Sequence, residues 1–344
     1  MTNKKEYGQF FTTNYKYILQ NLSIPTHITH IIEPFCGNKD LLPFILNTHI
    51  QIDCYDIEPT HSSIIKQDTL LNPPNYDNKF VLTNPPYLAR NKTKNKEVYD
   101  KYKQNDLYKC FIKSIINGKC IGGIIIIPLN FWSSIRKNDV LLRKEFLEIY
   151  NIVHLNIFEE RVFKDTSYSI CSFQFETRSG VNIINSTIYP SSNTLELELN
   201  ETNNYTIGGE IYKLIKSDNI KIERATKDNI DNECITNILL KCIDDTSKIC
   251  MKMVSDEDRY IDMSTNLSAR SYATLVITPK LSLTDQEILV SQFNTYINIQ
   301  RDKYNSLFLT NYREGNRKRI SFSLCFTITN YLLQTKFESY PCLL

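Results

Sequence analysis

Glycine is scarce, at 9 residues of 344, about 2.6% against a usual ~7%. That scarcity nearly excludes a multi-glycine phosphate loop, and neither G-x-G-x-x-G nor G-x-x-x-x-G-K-[ST] occurs. No cysteine pair is spaced C-x-x-C, and the ten cysteines are scattered singly from Cys36 to Cys342. The segment Met1 to Gly8 turns polar and aromatic at once. Without an apolar signal-peptide core there, the expectation is an intracellular protein with reduced thiols, not a secreted one. The longest apolar run, around Ile124–Ile127, is far short of the ~20 residues that span a bilayer, so no membrane association is expected. Net charge is only +2, which argues against a globally basic DNA-coating protein. His27, His30, His49, His61 and His154 show no metal-ligand spacing, and Cys234, Cys242 and Cys250 recur without partners. No metal is expected.

What is present is a foldable chain, 42% hydrophobic and 23% charged, long enough for about two domains at ~150 residues each. The first half alternates strand-like and helix-like segments. Residues 29–34, 50–56, 80–83, 120–129, 149–158 and 169–175 read as strands, and 40–46 and 107–116 as helices. Pro43 fits a helix only in its first turn. This alternation predicts an α/β domain with a mostly parallel sheet, whose ligands sit at strand C-terminal ends. From about residue 179 to 204, Ser, Thr and Asn dominate, which reads as a linker or irregular β segment. Helices are expected at 283–306 and 320–333.

Thr83-Asn84-Pro85-Pro86-Tyr87 directly follows a predicted strand. Two prolines fix φ and donate no backbone hydrogen bond, so the loop presents carbonyl acceptors from a rigid frame. The Asn84 side-chain oxygen and the Pro85 carbonyl could take both protons of a planar exocyclic amine, leaving its lone pair free to attack. Tyr87 offers a face on which a base could stack. Taken alone, the tetrapeptide is equally an ordinary Pro-rich turn.

Its company makes it specific. Gly8-Gln9-Phe10-Phe11-Thr12 lies upstream, Glu33-Pro34-Phe35-Cys36-Gly37 ends the first strand, Asp56-Ile57-Glu58-Pro59 the second, and Gln67-Asp68-Thr69-Leu70 follows. In this order, across residues 4–180, the segments resemble the gamma-order DNA adenine-N6 methyltransferases of type II restriction–modification systems. That resemblance implies a Rossmann-like S-adenosylmethionine-dependent methyltransferase sheet over 1–180, and a smaller C-terminal target-recognition domain over 181–344. It implies S-adenosyl-L-methionine as cofactor. Thr12, Glu33 and Gly37 would hold its methionine tail, Asp56 its ribose hydroxyls and Asp68 its adenine amine, with Ile57 and Asn84 also at the cofactor. Asn84, Pro85, Pro86 and Tyr87 would form the catalytic loop, and Tyr87 and Phe163 would stack the flipped target adenine. The chain departs from the family in having Thr13 where Pro is common, and one glycine in the loop after the first strand.

Double-stranded DNA is the implied partner, in company with a cognate restriction endonuclease, and a monomer is favoured. Arg90, Lys92, Lys94 and Lys96 begin three residues past Tyr87, and Arg317-Lys318-Arg319 forms a second basic cluster. Both read as phosphate contacts or as solvated loops. An RNA-adenine or protein-glutamine methyltransferase would use the same Asn-Pro-Pro-Tyr loop, and a non-catalytic nucleic-acid-binding relative would break it. The Phe10-Phe11 segment before the first strand and the Arg161-Val162-Phe163 stretch favour DNA.

Overall fold

The computed structural model describes residues 7–45, 49–163, 168–181, 183–245, 247–263, 271–312 and 317–337. The chain divides into two units, one running to Ile207 and one from Gly208 onward.

The first unit opens with the one-turn helix α1 (Tyr15–Ile18), then strand β1 (His30–Glu33), β2 (Gln51–Asp56), the short β3 (Ile65–Lys66) and β4 (Phe80–Thr83). Helices α2 (Glu97–Tyr102) and α3 (Leu107–Gly118) lead to β5 (Gly122–Pro128). The short α4 (Asn130–Ser133) and α5 (Lys137–Ile149) precede β6 (Tyr150–Phe158), β7 (Ile170–Thr177), β8 (Ile183–Tyr189) and β9 (Asn193–Glu198). Among the described residues these strands form one sheet in the order β3-β2-β1-β4-β5-β7-β6-β8-β9. It is parallel from β3 to β5 and turns antiparallel at β7. The fold is therefore mixed α/β. β5 is buried at every position, which is why its glycine-isoleucine sequence shows no alternation.

Two local expectations change. Residues 40–46 give only a 3-10 turn at Leu42–Phe44, with residues 46–48 outside the described set. Of the two readings of the polar stretch after residue 179, linker or irregular β segment, the β one holds, because β8 pairs with β6 and β9 with β8. The first unit thus continues beyond residue 180, the boundary drawn from sequence.

The second unit contains an antiparallel sheet built from β10 (Lys221–Arg224), β11 (Ile235–Lys241), β12 (Cys250–Met253) and β13 (Tyr272–Thr278), in the order β10-β13-β11-β12. Helix α6 (Leu283–Tyr304) packs on β12 and β11. Its buried Leu289, Phe293, Ile297 and Arg301 fall at four-residue spacing, one stripe of a helix. The Ser282 hydroxyl caps its first turn by accepting from the Asp285 N–H. A small hairpin, β14 (Thr310–Tyr312) with β15 (Arg317–Arg319), leads to α7 (Phe322–Phe337).

Candidate active site

The chain leaves β1 for β2 and β3 on one side, then returns to pair β4 on the other. Such a reversal opens a crevice beyond the strand C-termini. A cavity of about 310 Å³ lies there, and Thr12, Glu33, Gly37, Asp56, Ile57, Asp68 and Asn84 all line it. The residues that the sequence placed around a cofactor thus meet around one space, delivered by the ends of β1, β2 and β4.

Glu33 closes β1. Its Oε1 accepts from the Thr83 hydroxyl at 2.5 Å and from the Phe35 N–H at 3.3 Å, so it joins the ends of β1 and β4. Burial holds its carboxyl well above the usual carboxylate range, outweighing the Thr83 hydrogen bond. Oε2 is buried and has no hydrogen-bond partner among the described residues. Asp56 closes β2. Its two oxygens accept from the Gly37 N–H at 2.8 Å and the Glu58 N–H at 2.9 Å, which fixes the loop after β1 against β2. Burial raises its carboxyl too, against those backbone bonds. Asp68 Oδ1 accepts from the N–H groups of Leu70 and Leu71, both at 3.0 Å, and shapes its own turn. The Leu70 carbonyl in turn accepts from the Tyr102 hydroxyl at 2.8 Å, so α2 braces that turn.

At the end of β4, Asn84 Nδ2 donates to the Phe10 carbonyl at 2.8 Å and to Thr12 Oγ1 at 3.0 Å. A carbonyl can only accept, so this orients the amide and turns Oδ1 away from Phe10. Oδ1 lies 2.5 Å from the Tyr87 hydroxyl, which is also 2.8 Å from the Ile126 carbonyl. One phenolic proton serves one acceptor at a time, so Ile126 can take it when Asn84 is otherwise engaged. Pro86 lines the cavity, while Pro85 and Tyr87 are buried beside it.

The Tyr87 and Phe163 rings are 4% and 5% exposed. Phe10 stacks on both, with centroids 5.2 Å and 6.2 Å away and planes tilted by 28° and 29°. Phe10 lies within the Gly8-Gln9-Phe10-Phe11-Thr12 string, and the family resemblance implies no role for it. Phe11 of the same string also lines the cavity, as do Val98, Tyr99 and Leu107, to which no motif in the sequence pointed. The stretch after Tyr87, read as a basic loop, is partly a wall of this cavity.

The basic candidates differ in placement. Lys92 and Lys94 are exposed, and Arg90 pairs with Asp100 at 2.5 Å. Lys96 turns its ammonium onto the Arg90 and Thr93 carbonyls. Lys318 is 7% exposed. A phosphate contact needs an ammonium in solvent, so Lys96 and Lys318 are not available for one as they stand. Arg319 is half-buried, and the Arg317 side chain lies outside the described residues. Among the described residues no cluster of three His, Cys, Asp or Glu side chains could hold a metal, and no helix is long and apolar enough to cross a membrane.

Gly8 makes the upstream segment possible. Its φ is +66°, its carbonyl accepts from the Tyr87 N–H at 2.9 Å, and a Cβ there would lie 2.7 Å from the Tyr87 carbonyl oxygen. Gly8→Ala should destabilise the first unit by about 1–2 kcal/mol and detach the segment from the Asn84 loop. Urea denaturation reads the first effect and protease sensitivity near residue 10 the second; wild-type behaviour in both would remove the strap from the account.

Residues 44–163 match the family model of Eco57I restriction-modification methylases. No curated protein is a significant match. Solved structures similar to the chain include a modification subunit assigned to a type I restriction enzyme from Vibrio vulnificus, at 13% identity and TM-score 0.42, covering 53% of this chain and 47% of that one. A protein from Listeria monocytogenes, described as a class I S-adenosylmethionine-dependent methyltransferase, matches at 13% identity and TM-score 0.39, covering 52% and 64%. A type I restriction-modification methyltransferase subunit from Streptococcus thermophilus matches at 13% identity and TM-score 0.38, covering 53% and 47%. The matched stretch spans less than two thirds of each of those chains.

Proposed function

We propose that this chain is an S-adenosylmethionine-dependent methyltransferase that modifies N6 of an adenine flipped out of duplex DNA, as the modification activity of a restriction–modification system. The observation that carries the reading is the Asn84 amide, held by Phe10 and Thr12 in a residue that lines a cavity at the sheet's reversal point. The similarity of residues 44–163 to Eco57I restriction-modification methylases supports the same class.

The cavity's donor set suits the cofactor. Glu33 offers a buried, unpartnered carboxylate oxygen for the cationic methionine tail, and Thr12 and Gly37 stand beside it. Asp56, with a lone pair left on each oxygen, would take the ribose hydroxyls, Ile57 would pack on the cofactor's adenine, and Asp68 would accept from its amine. When bound, the cofactor supplies a methyl group on a good leaving group, so the protein's work is positioning. Asn84 Oδ1 and the Pro85 carbonyl accept the two amine protons of the target and hold its nitrogen lone pair toward the methyl. Tyr87 and Phe163 hold the base between them, since a base inside a duplex cannot reach such a pocket. Lys92, Lys94 and Arg90 supply phosphate contacts, and the second unit carries target recognition.

Purified protein with labelled cofactor, unmethylated duplex DNA, tRNA and a protein extract tests this. N6-methyladenine in DNA, absent with Asn84→Ala, is the expected result. Label in tRNA or protein would keep the loop chemistry and overturn the substrate.

Glu33 gives a pH prediction with opposite signs for folding and binding. Its folded value lies above the ordinary 4.5, so its contribution to stability is fully present below that value and is lost as pH rises through the folded one. Glu33→Gln should therefore raise the melting temperature relative to wild type at pH 8 but not at pH 4. Cofactor affinity should fall about tenfold or more, the worth of one charge-assisted hydrogen bond. Calorimetric titration of wild type in two buffers of different ionisation heat should show proton release on binding. Unchanged affinity in the variant would free Glu33 of that role.

A further inference from the structure

Phe10 stands where an acceptor base would have to stack. Among the described rings it is the one lying near-parallel on Tyr87, whose contacts with Tyr108 and Tyr168 are edge-on. It is also the described ring that contacts Phe163, again near-parallel. Centroid spacings of 5.2 Å and 6.2 Å are those of offset-stacked pairs. The two stacking surfaces assigned to the target are thus covered by a six-membered ring of this chain's own.

We propose that Phe10 is the resident occupant of the acceptor slot, and that a base enters only by displacing its ring. This rests on the methyltransferase reading above and adds a residue that the reading leaves without a role.

The backbone around Phe10 is built to stay while the ring moves. Its carbonyl accepts from Asn84 Nδ2 at 2.8 Å, and the Gly8 carbonyl two residues earlier accepts from the Tyr87 N–H at 2.9 Å. Those bonds pin the main chain on either side and orient the catalytic amide. Rotation about the Phe10 side-chain torsions breaks neither. The ring can therefore leave without disordering Asn84, and the incoming base re-covers the faces that it exposes. The exchange selects for a planar ring. A flexible side-chain amide presents too little flat surface to replace two stacked contacts, so the slot favours a nucleobase over a glutamine.

The same stem reaches the other wall. Tyr17, in α1 just past the Phe10 segment, donates its hydroxyl to Glu160, three residues before Phe163. The segment that fills the slot and the segment that walls it are thus joined by one side-chain hydrogen bond.

Two measurements test the proposal. With labelled cofactor and a long unmethylated duplex DNA, Phe10→Ala should raise kcat/KM for DNA about five- to tenfold through a lower KM, the worth of the stacking that the base no longer competes with. A raised KM would make Phe10 part of the base-binding wall and overturn the proposal. Phe10→Trp gives a readout independent of turnover. Trp132 is the chain's sole tryptophan and is fully buried, so it contributes a constant background. With a non-transferring cofactor analogue present, DNA binding should shift the emission of the new indole to longer wavelength and increase its quenching by acrylamide. Unchanged emission on DNA that anisotropy shows to be bound would also overturn the proposal. A wild type that labels no nucleobase sinks the nucleobase substrate itself, and the slot with it. A wild type that labels DNA while either Phe10 measurement fails sinks the slot alone.

Discussion

Asn84→Ala should lower methyl transfer to DNA by about 10²–10³-fold, the loss typical when one fixed polar group at a reacting centre is removed. The size follows from how firmly the amide is held. Its Nδ2 faces the Phe10 carbonyl and Thr12 Oγ1, so no rotamer search is needed to aim Oδ1. Alanine removes the acceptor and also releases the upstream segment from the end of β4. Asn84→Asp separates the two contributions. It keeps an oxygen at the Oδ1 position but puts a second one against the Phe10 carbonyl, where two acceptors repel. The Asp variant should therefore lose nearly as much activity as Ala and show greater protease sensitivity around Phe10. Single-turnover rates at saturating cofactor, with cofactor affinity measured separately, check the assignment. If the fall in cofactor affinity matched the fall in rate, Asn84 would belong to the cofactor site and not to the target amine.

The positions of the strand-end motifs were legible in the sequence, for a physical reason. Parallel strands place their C-terminal ends along one edge, so motifs that close successive strands converge whatever the intervening loops do. Glu33, Asp56 and Asn84 lie at the ends of β1, β2 and β4, the strand-end positions from which the family resemblance drew them. Phe10 was not assigned because its partners lie far along the chain, at Tyr87 and Phe163, and stacking leaves no periodic trace. β8 was obscured by composition. Ser186 and Thr187 are buried in it, so polar residues occupy positions where a sequence reading expects apolar ones. α5 carries no clear apolar stripe because charged residues are as frequent as apolar ones from Lys137 to Ile149, and two of them, Asp139 and Arg143, are buried.

Arg143 is the more deeply buried of the two, and its removal should give the largest loss of stability in the first unit. The side chain is 0% exposed. Its guanidinium donates to the Phe131 and Ser134 carbonyls at 2.5 Å and 2.6 Å, to the Tyr205 carbonyl at 2.6 Å, and to the Thr206 hydroxyl at 2.5 Å. Two of these acceptors are carbonyls at the end of α4, groups that a helix leaves without internal partners. The other two belong to the last residues of the unit, so one side chain fastens the closing segment to the helix after β5. Burial pulls the guanidinium down to about 10, which leaves it charged at neutral pH, and the nearby Asp139 carboxylate opposes that fall. Asp139 is itself paired with Lys109 at 2.6 Å, so the charge sits within a shared network. Arg143→Met keeps the length and apolar stem but strands four acceptors away from solvent. The expected cost is about 3–5 kcal/mol, within the range for a broken buried network and greater than an ordinary core truncation of one methylene. For a unit of this size that is a fall of about 10 °C in melting temperature. Arg143→Lys should recover only part of it, because three donors on one nitrogen cannot replace a planar fork spread over four acceptors. Chemical denaturation of the three proteins at neutral pH decides the matter. A methionine variant within about 1 kcal/mol of wild type would mean that water reaches those carbonyls, and that the closing segment is held by packing alone.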